Sequence, residues 1–498
     1  MAELVSNTEV TEILRRVRER LGEGEAAARP GAAPVAAAPP RTAEKKAAAA
    51  GGVGASPSDG IYPTVDAAVE AARAAFLEFR EVGLTKRHAI IAAIRQAMRE
   101  HGPALAQGAR EETGIGRAED KVIKNRLVTE KTPGPEDLEP QVVTGDRGMT
   151  ITEYAPFGVI ASITPTTNPT STIINNTLAI LSAGNTVVFN AHPNAKRISV
   201  ENVRLISRAI AAAGGPPNLI TAIPEPTIET AREVMHHPGV RILLVTGGPA
   251  VVKEALKTDK RAITAGPGNP PVVVDETADI ALAGREIVRG ASFDNNLICT
   301  DEKEVFAVRG VADELVRVMA KSGGYVLKEF ELRKLERVIF ERLGEPGKPG
   351  VINRKWIGQN AGRILAEIGV QAGDELRLVV AEVPAEHSLV WTEQMMPVLP
   401  VVRVREVDEA LDLAVRAEHG FRHTAAIYSR NVDTITRMAR LMNVSIFVAN
   451  APTFAGLGEG GEGFTSYSIA TPTGEGLTRP RTFSRIRRMT IAGGLRIV

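Results

Sequence analysis

The chain has 498 residues, 44% of them hydrophobic, which is more than one ordinary core needs and enough to build two or more structured domains. Sixty basic residues against fifty-nine acidic ones leave a formal charge of +1, so no global electrostatic case exists for nucleic acid or an acidic membrane surface as partner. A single cysteine excludes an internal disulfide and any zinc site of paired cysteines, and suits a reducing, cytoplasmic setting.

In chain order, residues 1–21 contain "SNTEVTEILRRVRERL", with Val10, Ile13, Leu14, Val17 and Leu21 at helical spacing and Ser6 and Glu9 in a capping-box pattern. A helix this short is marginal alone, so its apolar stripe needs a partner, either its own domain or another protein. Glutamates interleave with Arg15, Arg16, Arg18 and Arg20, which argues against a membrane surface. No apolar stretch approaches the ~20 residues of a membrane span. Residues 22–59 are rich in Ala, Pro and Gly and read as a flexible linker, which favours docking of the helix onto another protein.

From residue 60 two helical segments, "TVDAAVEAARAAFLEFR" and "TKRHAIIAAIRQAMREHG", lead into strand-helix units. "FGVIASITP" precedes "STIINNTLAILSAG", "NTVVFNAHP" precedes "AKRISVENVRLISRAIAAAG", and "VRILLVTGG" precedes "PAVVKEALK". Short apolar runs alternating with amphipathic helices predict an α/β fold with a doubly wound parallel sheet. A second series, "EKEVFAV", "MMPVLPVVRV", "HTAAIYS" and "VSIFVAN", predicts a second α/β domain.

The lone thiol, Cys299, lies in "SFDNNLICTDEK" on a loop at the junction of the two series. A buried inert cysteine fits such a position, but the Asn/Asp-rich setting favours a nucleophile. Thr246, Gly247 and Gly248 form a tight turn between a strand and a helix opened by Pro249, a place where backbone N–H groups can meet a pyrophosphate; an ordinary βα turn has the same pattern. "GLGEGG", Gly456 to Gly461, matches a dinucleotide fingerprint only formally, because no helix pattern opens there. His419 and His423 read as structural residues and not as metal ligands, and His236 and His237 read as a helix end.

Together these segments resemble the aldehyde dehydrogenase superfamily from about residue 60 onward. "ITPTTNPT" is similar to its asparagine loop, "LLVTGGPAVVKEAL" to its cofactor turn, "SFDNNLICTDEK" to its nucleophile loop and "TEQMMPVLPVV" to its glutamate segment. The likeness is greatest to the CoA-acylating propionaldehyde and acetaldehyde dehydrogenases of bacterial microcompartments, in which a helical N-terminal tail on a linker targets the enzyme to the shell lumen. The resemblance implies Cys299 as nucleophile, and Asn168 with the Cys299 backbone N–H as oxyanion hole. It implies Glu393 at the nicotinamide ribose, and Thr246, Gly247, Gly248, Pro165, Thr166 and Gly266 around the cofactor. NAD and coenzyme A are the implied cofactor and co-substrate, with a short aliphatic aldehyde as substrate and no metal.

Two departures matter. Ala265 stands where hydrolytic members carry a general-base glutamate, so hydrolysis of a cysteine thioester loses its base and coenzyme A becomes the expected acceptor. Asn190, His192 and Pro193 stand where those members place an adenosine-ribose lysine, which implies a reshaped nucleotide pocket. The expected layout is a Rossmann-like cofactor domain (60–138 and 154–264), a catalytic domain (265–455) and a small oligomerisation arm (139–153 and 477–498), in a dimer or tetramer whose N-terminal helix binds shell protein. A hydrolytic dehydrogenase and a catalytically silent microcompartment adaptor are the alternatives; retention of cysteine, asparagine and glutamate argues against the adaptor.

Overall fold

The computed structural model describes residues 59–497. The expected helix 1–21 lies outside the described residues, as does the linker apart from its last residue. The described chain begins with three helices. Helix α1 (Val65–Phe79) is capped by the Thr64 side chain and buries Val65, Ala68, Val69, Ala72, Ala75 and Phe79, the one-face spacing that its sequence predicts. Helix α2 (Leu84–Thr113) outruns the predicted segment, continuing through Pro103 because Leu105, Ala106 and Ala109 still face the core, and it stops at Gly114 in the left-handed conformation. Helix α3 (Ala118–Lys131) was not predicted. It buries Asp120, Lys121, Lys124 and Asn125 beside Leu127 and Val128, so no apolar stripe betrays it.

A hairpin, β1 (Gln141–Gly145) and β2 (Gly148–Pro156), leads into the first α/β layer. There β3 (Val159–Ile163), α4 (Pro169–Ser182), β4 (Thr186–Asn190), α5 (Lys196–Ala212), β5 (Ile220–Ala222), α6 (Ile228–His236), β6 (Val240–Thr246), α7 (Pro249–Ala255) and β7 (Arg261–Ala265) alternate. The strands pair in parallel in the order β5-β4-β3-β6-β7, so the order reverses between β3 and β6. Their near-continuous burial is what a parallel sheet covered on both faces requires.

The second layer contains β8 (Pro271–Val274), α8 (Ile280–Ala291), β9 (Glu304–Val308), β10 (Gly324–Val326), β11 (Leu378–Glu382), β12 (Val398–Val404), β13 (Thr424–Tyr428) and β14 (Ile446–Ala449). These seven strands form one parallel sheet in the order β10-β11-β12-β9-β8-β13-β14. The final strand, β15 (Ser484–Ala492), returns to pair antiparallel with β2, making a three-stranded sheet β1-β2-β15. Among the described residues β15 has a free outer edge. Val142, Val143, Ile486 and Met489 are exposed on this sheet. No described helix is long and apolar enough to cross a membrane.

Candidate active site

In a doubly wound sheet the ligand crevice opens at the carboxyl ends of the strands, where strand order reverses. The predicted cofactor residues follow four neighbouring strands of that kind. Asn190 ends β4, with His192 and Pro193 after it; Pro165, Thr166 and Asn168 follow β3; Thr246 ends β6, with Gly247 and Gly248 after it; Gly266 follows β7. A Cβ built on Gly248 would meet nothing within 4 Å, so bare backbone at this turn is open to a ligand. The Thr246 hydroxyl is tied to Ser468 Oγ at 2.8 Å. Two residues of the group have other occupations. The Asn190 Oδ1 accepts from Thr230 Oγ1 at 2.7 Å, and His192 Nδ1 accepts from the Asn194 backbone N–H at 3.1 Å, with burial lowering the imidazole pKa.

The nucleophile loop joins α8 to β9. From Gly290 to Val308 every residue is buried except Cys299, which alone is part-exposed. Asp294, Asn295 and Asn296 hold φ values of 47°, 57° and 63° in succession. That left-handed conformation is one that Asn and Asp tolerate better than other residues with a side chain. Each side chain then anchors the turn. Asp294 accepts from the Arg117 backbone N–H at 2.7 Å and pairs with Lys121 Nζ at 3.0 Å and with Lys124. Asn295 Oδ1 accepts from Arg117 Nε at 2.9 Å, while its Nδ2 donates to the Gly358 carbonyl at 2.9 Å. Asn296 Nδ2 donates to the carbonyls of Ala291 and Glu302, and its Oδ1 accepts from Lys303 Nζ at 2.6 Å. Asp294, Asn295 and Asn296 therefore build a buried, hydrogen-bonded scaffold ahead of the cysteine, whereas Thr300 Oγ1, Asp301 Oδ1 and Glu302 Oε2 after it are buried without a partner.

Asn168 begins α4 at the N-cap position but makes no side-chain capping bond. Its Oδ1 instead accepts from Lys124 Nζ at 2.6 Å, and its Nδ2 donates to Thr167 Oγ1 at 3.1 Å. Helix α3 thus bridges the asparagine loop and the nucleophile loop.

The thiol is protected in this arrangement. Burial, and then the charge of Glu393, push the Cys299 pKa up to about 12, with Lys303 pulling the other way. Glu393 is itself raised by burial, and its Oε1 accepts from the Gly268 backbone N–H at 3.2 Å. Gly268 belongs to "AGPGNPP" and packs on the cysteine: a Cβ there would lie 2.4 Å from the Cys299 carbonyl oxygen and 3.1 Å from His423 Cγ. One residue that the sequence reading took as structural also lies here. His423 is fully buried, its Nδ1 meets Thr424 Oγ1 at 2.9 Å, and its Nε2 has no hydrogen-bond partner. Burial lowers its pKa to about 3, which keeps the ring neutral. The signal available in sequence was a histidine opening a strand, and that carries no spacing to recognise. His419, its neighbour in sequence, instead bonds the Trp391 carbonyl through Nε2 at 2.9 Å. Among the described residues no group of three or more His, Cys, Asp or Glu side chains is placed to hold a metal ion.

A model of the aldehyde dehydrogenase family matches residues 36–323 and 377–466. The chain is 50% identical over 440 residues to an acetylating acetaldehyde dehydrogenase of Salmonella typhimurium, covering 88% of this chain and 94% of that one. It is 46% identical to a Rhodopseudomonas palustris propionaldehyde dehydrogenase solved with bound CoA and an acylated cysteine, with a TM-score of 0.85 over 88% of this chain and all of the other. A propionaldehyde dehydrogenase from a Clostridium phytofermentans fucose-utilisation microcompartment superimposes with a TM-score of 0.85 at 44% identity, covering 88% of this chain and 100% of that one. With its two parallel sheets, antiparallel arm and single half-exposed cysteine, the chain belongs to the aldehyde dehydrogenase family.

Proposed function

We infer that the chain is a CoA-acylating aldehyde dehydrogenase, converting a short-chain aldehyde, CoA and NAD(P)+ to acyl-CoA, NAD(P)H and a proton. The observation that carries this is Cys299, the one part-exposed residue between Gly290 and Val308. Its thiolate adds to the aldehyde carbon, forming a C–S bond while the carbonyl electron pair moves to oxygen. The Asn168 amide and the Cys299 backbone N–H are the proposed donors to that oxygen. When bound, the dinucleotide supplies a hydride acceptor and a positive charge near the sulfur. The crevice lined by Thr246, Gly247, Gly248, Pro165, Thr166 and Gly266 would hold it, with Glu393 at the ribose. Loss of hydride from the tetrahedral carbon restores the carbonyl as a Cys299 thioester.

Ala265 ends β7 buried, and the stretch from Gly266 to Pro271 contains no carboxylate, so water has no dedicated base there. The CoA thiolate attacks the thioester, releasing acyl-CoA and the Cys299 thiolate. His423, whose ring packs against Gly268 and whose Nε2 has no hydrogen-bond partner, is a proposed hydrogen-bonding partner for the CoA thiol. The test is NADH formation with and without CoA: sustained turnover should need CoA, and undiminished turnover without it would reject acyl transfer in favour of hydrolysis.

Residues 1–21 are proposed to dock the enzyme onto a microcompartment shell protein, with the lumen as location, and the sheet β1-β2-β15 to hold subunits together. The relative from a fucose-utilisation microcompartment supports the first proposal. Exposed apolar residues beside a free strand edge support the second.

A further inference from the structure

Helix α3 carries two buried ammonium groups that compositional reasoning has no use for. Lys121 and Lys124 are 2% and 1% exposed, and both reach Asp294 Oδ2. One carboxylate needs one cation to be neutralised, and Lys121, at 3.0 Å, already supplies it. A second buried cation is costly unless it has another task. Lys124 has one visible partner besides Asp294: the Asn168 Oδ1, 2.6 Å away.

The chemistry of that contact is directional. An ammonium has donors and no acceptor, so it bonds only the oxygen of an amide and never its nitrogen. With Oδ1 held against Lys124, Nδ2 is left to donate elsewhere, and its present partner is the rotatable hydroxyl of Thr167 at 3.1 Å. A positive charge on the amide oxygen also polarises the N–H groups and strengthens them as donors. Through Asp294 the same ammonium is fixed to the left-handed turn that carries the nucleophile five residues later.

We propose that Lys124 is a positioning residue of the oxyanion hole: it sets the orientation of the Asn168 amide, strengthens its N–H as a donor, and registers it against the Cys299 loop. The inference rests on the reading of Asn168 as oxyanion donor, and the test separates the two. The variants are Lys124→Met, which keeps length and removes the donor, Lys124→Gln, which keeps a neutral donor, Asn168→Ala, and each lysine variant combined with Asn168→Ala. The measurement is the first-turnover burst of NADH at saturating aldehyde and dinucleotide, alongside aldehyde KM and thermal midpoint.

Asn168→Ala should slow the burst about 100- to 1,000-fold, as expected for loss of one oxyanion donor. Lys124→Met should slow it by roughly 10- to 100-fold with KM within about threefold, and Lys124→Gln by less, since the lost interaction serves the transition state and not substrate binding. In the Asn168→Ala background either lysine change should cost less than about threefold more, because residues acting as one unit are not additive. A Lys124→Met burst at the wild-type rate, or an equal fold loss with and without Asn168, would overturn the proposal. An Asn168→Ala burst at the wild-type rate would instead reject the oxyanion reading beneath it. If Lys124→Met does not fold, Lys124→Gln carries the same cycle, and its full activity would count against the proposal.

Discussion

The surroundings of Cys299 disfavour its thiolate. With its pKa pushed up to about 12 by burial and then by Glu393, only a small fraction is thiolate near neutrality, and that fraction rises about tenfold per pH unit below the pKa. Alkylation of the ligand-free enzyme by iodoacetamide should therefore climb steadily between pH 7 and 9. Replacing Glu393 with Gln removes the nearby negative charge, lowers the thiol pKa and should raise the rate at pH 8; a plateau already reached by pH 8 in the unmodified enzyme would contradict this. The chain has no other cysteine, so the chemistry reports on one atom. Cys299→Ala should abolish both NADH formation and any acyl adduct detectable by mass spectrometry. Cys299 stood out as a candidate nucleophile because its neighbours are amides and acids in a place where packing would prefer apolar residues. What those neighbours do was not legible: Asn295 bonds to Gly358, which no sequence spacing connects to it, while Asn296 and Lys303 close the loop on itself through each other and Glu302.

At the scale of elements, β3, β4, β6, β9, β12, β13 and β14 were readable because buried parallel strands announce themselves as short runs of Val, Ile and Leu, whereas the three-residue edge strands β5 and β10 were too short to show. Helix α3 escaped because its inward face is charged. Arg117 at its start donates to the carbonyls of Asp374 and Leu376, Asp120 pairs with Arg377 at 2.6 Å, and Lys121 and Lys124 meet Asp294. Such a face is mistaken for a solvated one by any count of hydrophobic periodicity. Asp294→Asn should show its importance by leaving two buried ammonium groups without a counter-charge, a change expected to cost about 3–5 kcal/mol in chemical denaturation. A loss below 1 kcal/mol would mean that water reaches this cluster. The closeness of "AGPGNPP" to the cysteine was hidden until the chain folded. Gly268→Ala should displace the nucleophile loop, because the added methyl meets the Cys299 carbonyl at 2.4 Å.

For the molecule as a whole, two proposals concern partners. Ile486→Glu with Met489→Glu should yield a smaller species in sedimentation while leaving the fold intact, since both side chains are exposed on the edge strand; an unchanged sedimentation coefficient would remove the arm from assembly. Deletion of residues 1–21 should preserve soluble turnover and abolish co-sedimentation with shell protein, and loss of folding would point to docking within the chain instead. The left-handed turn at Asp294–Asn296 has a last consequence. Arg117, Lys121, Lys124 and Gly358 all bond that turn, and Gly358 in turn accepts from the Gly116 backbone N–H at 2.8 Å. A turn held by this many bonds should keep Cys299 in one place whichever molecule approaches it, so the amides of Asp294–Asn296 should be among the slowest to exchange with deuterium.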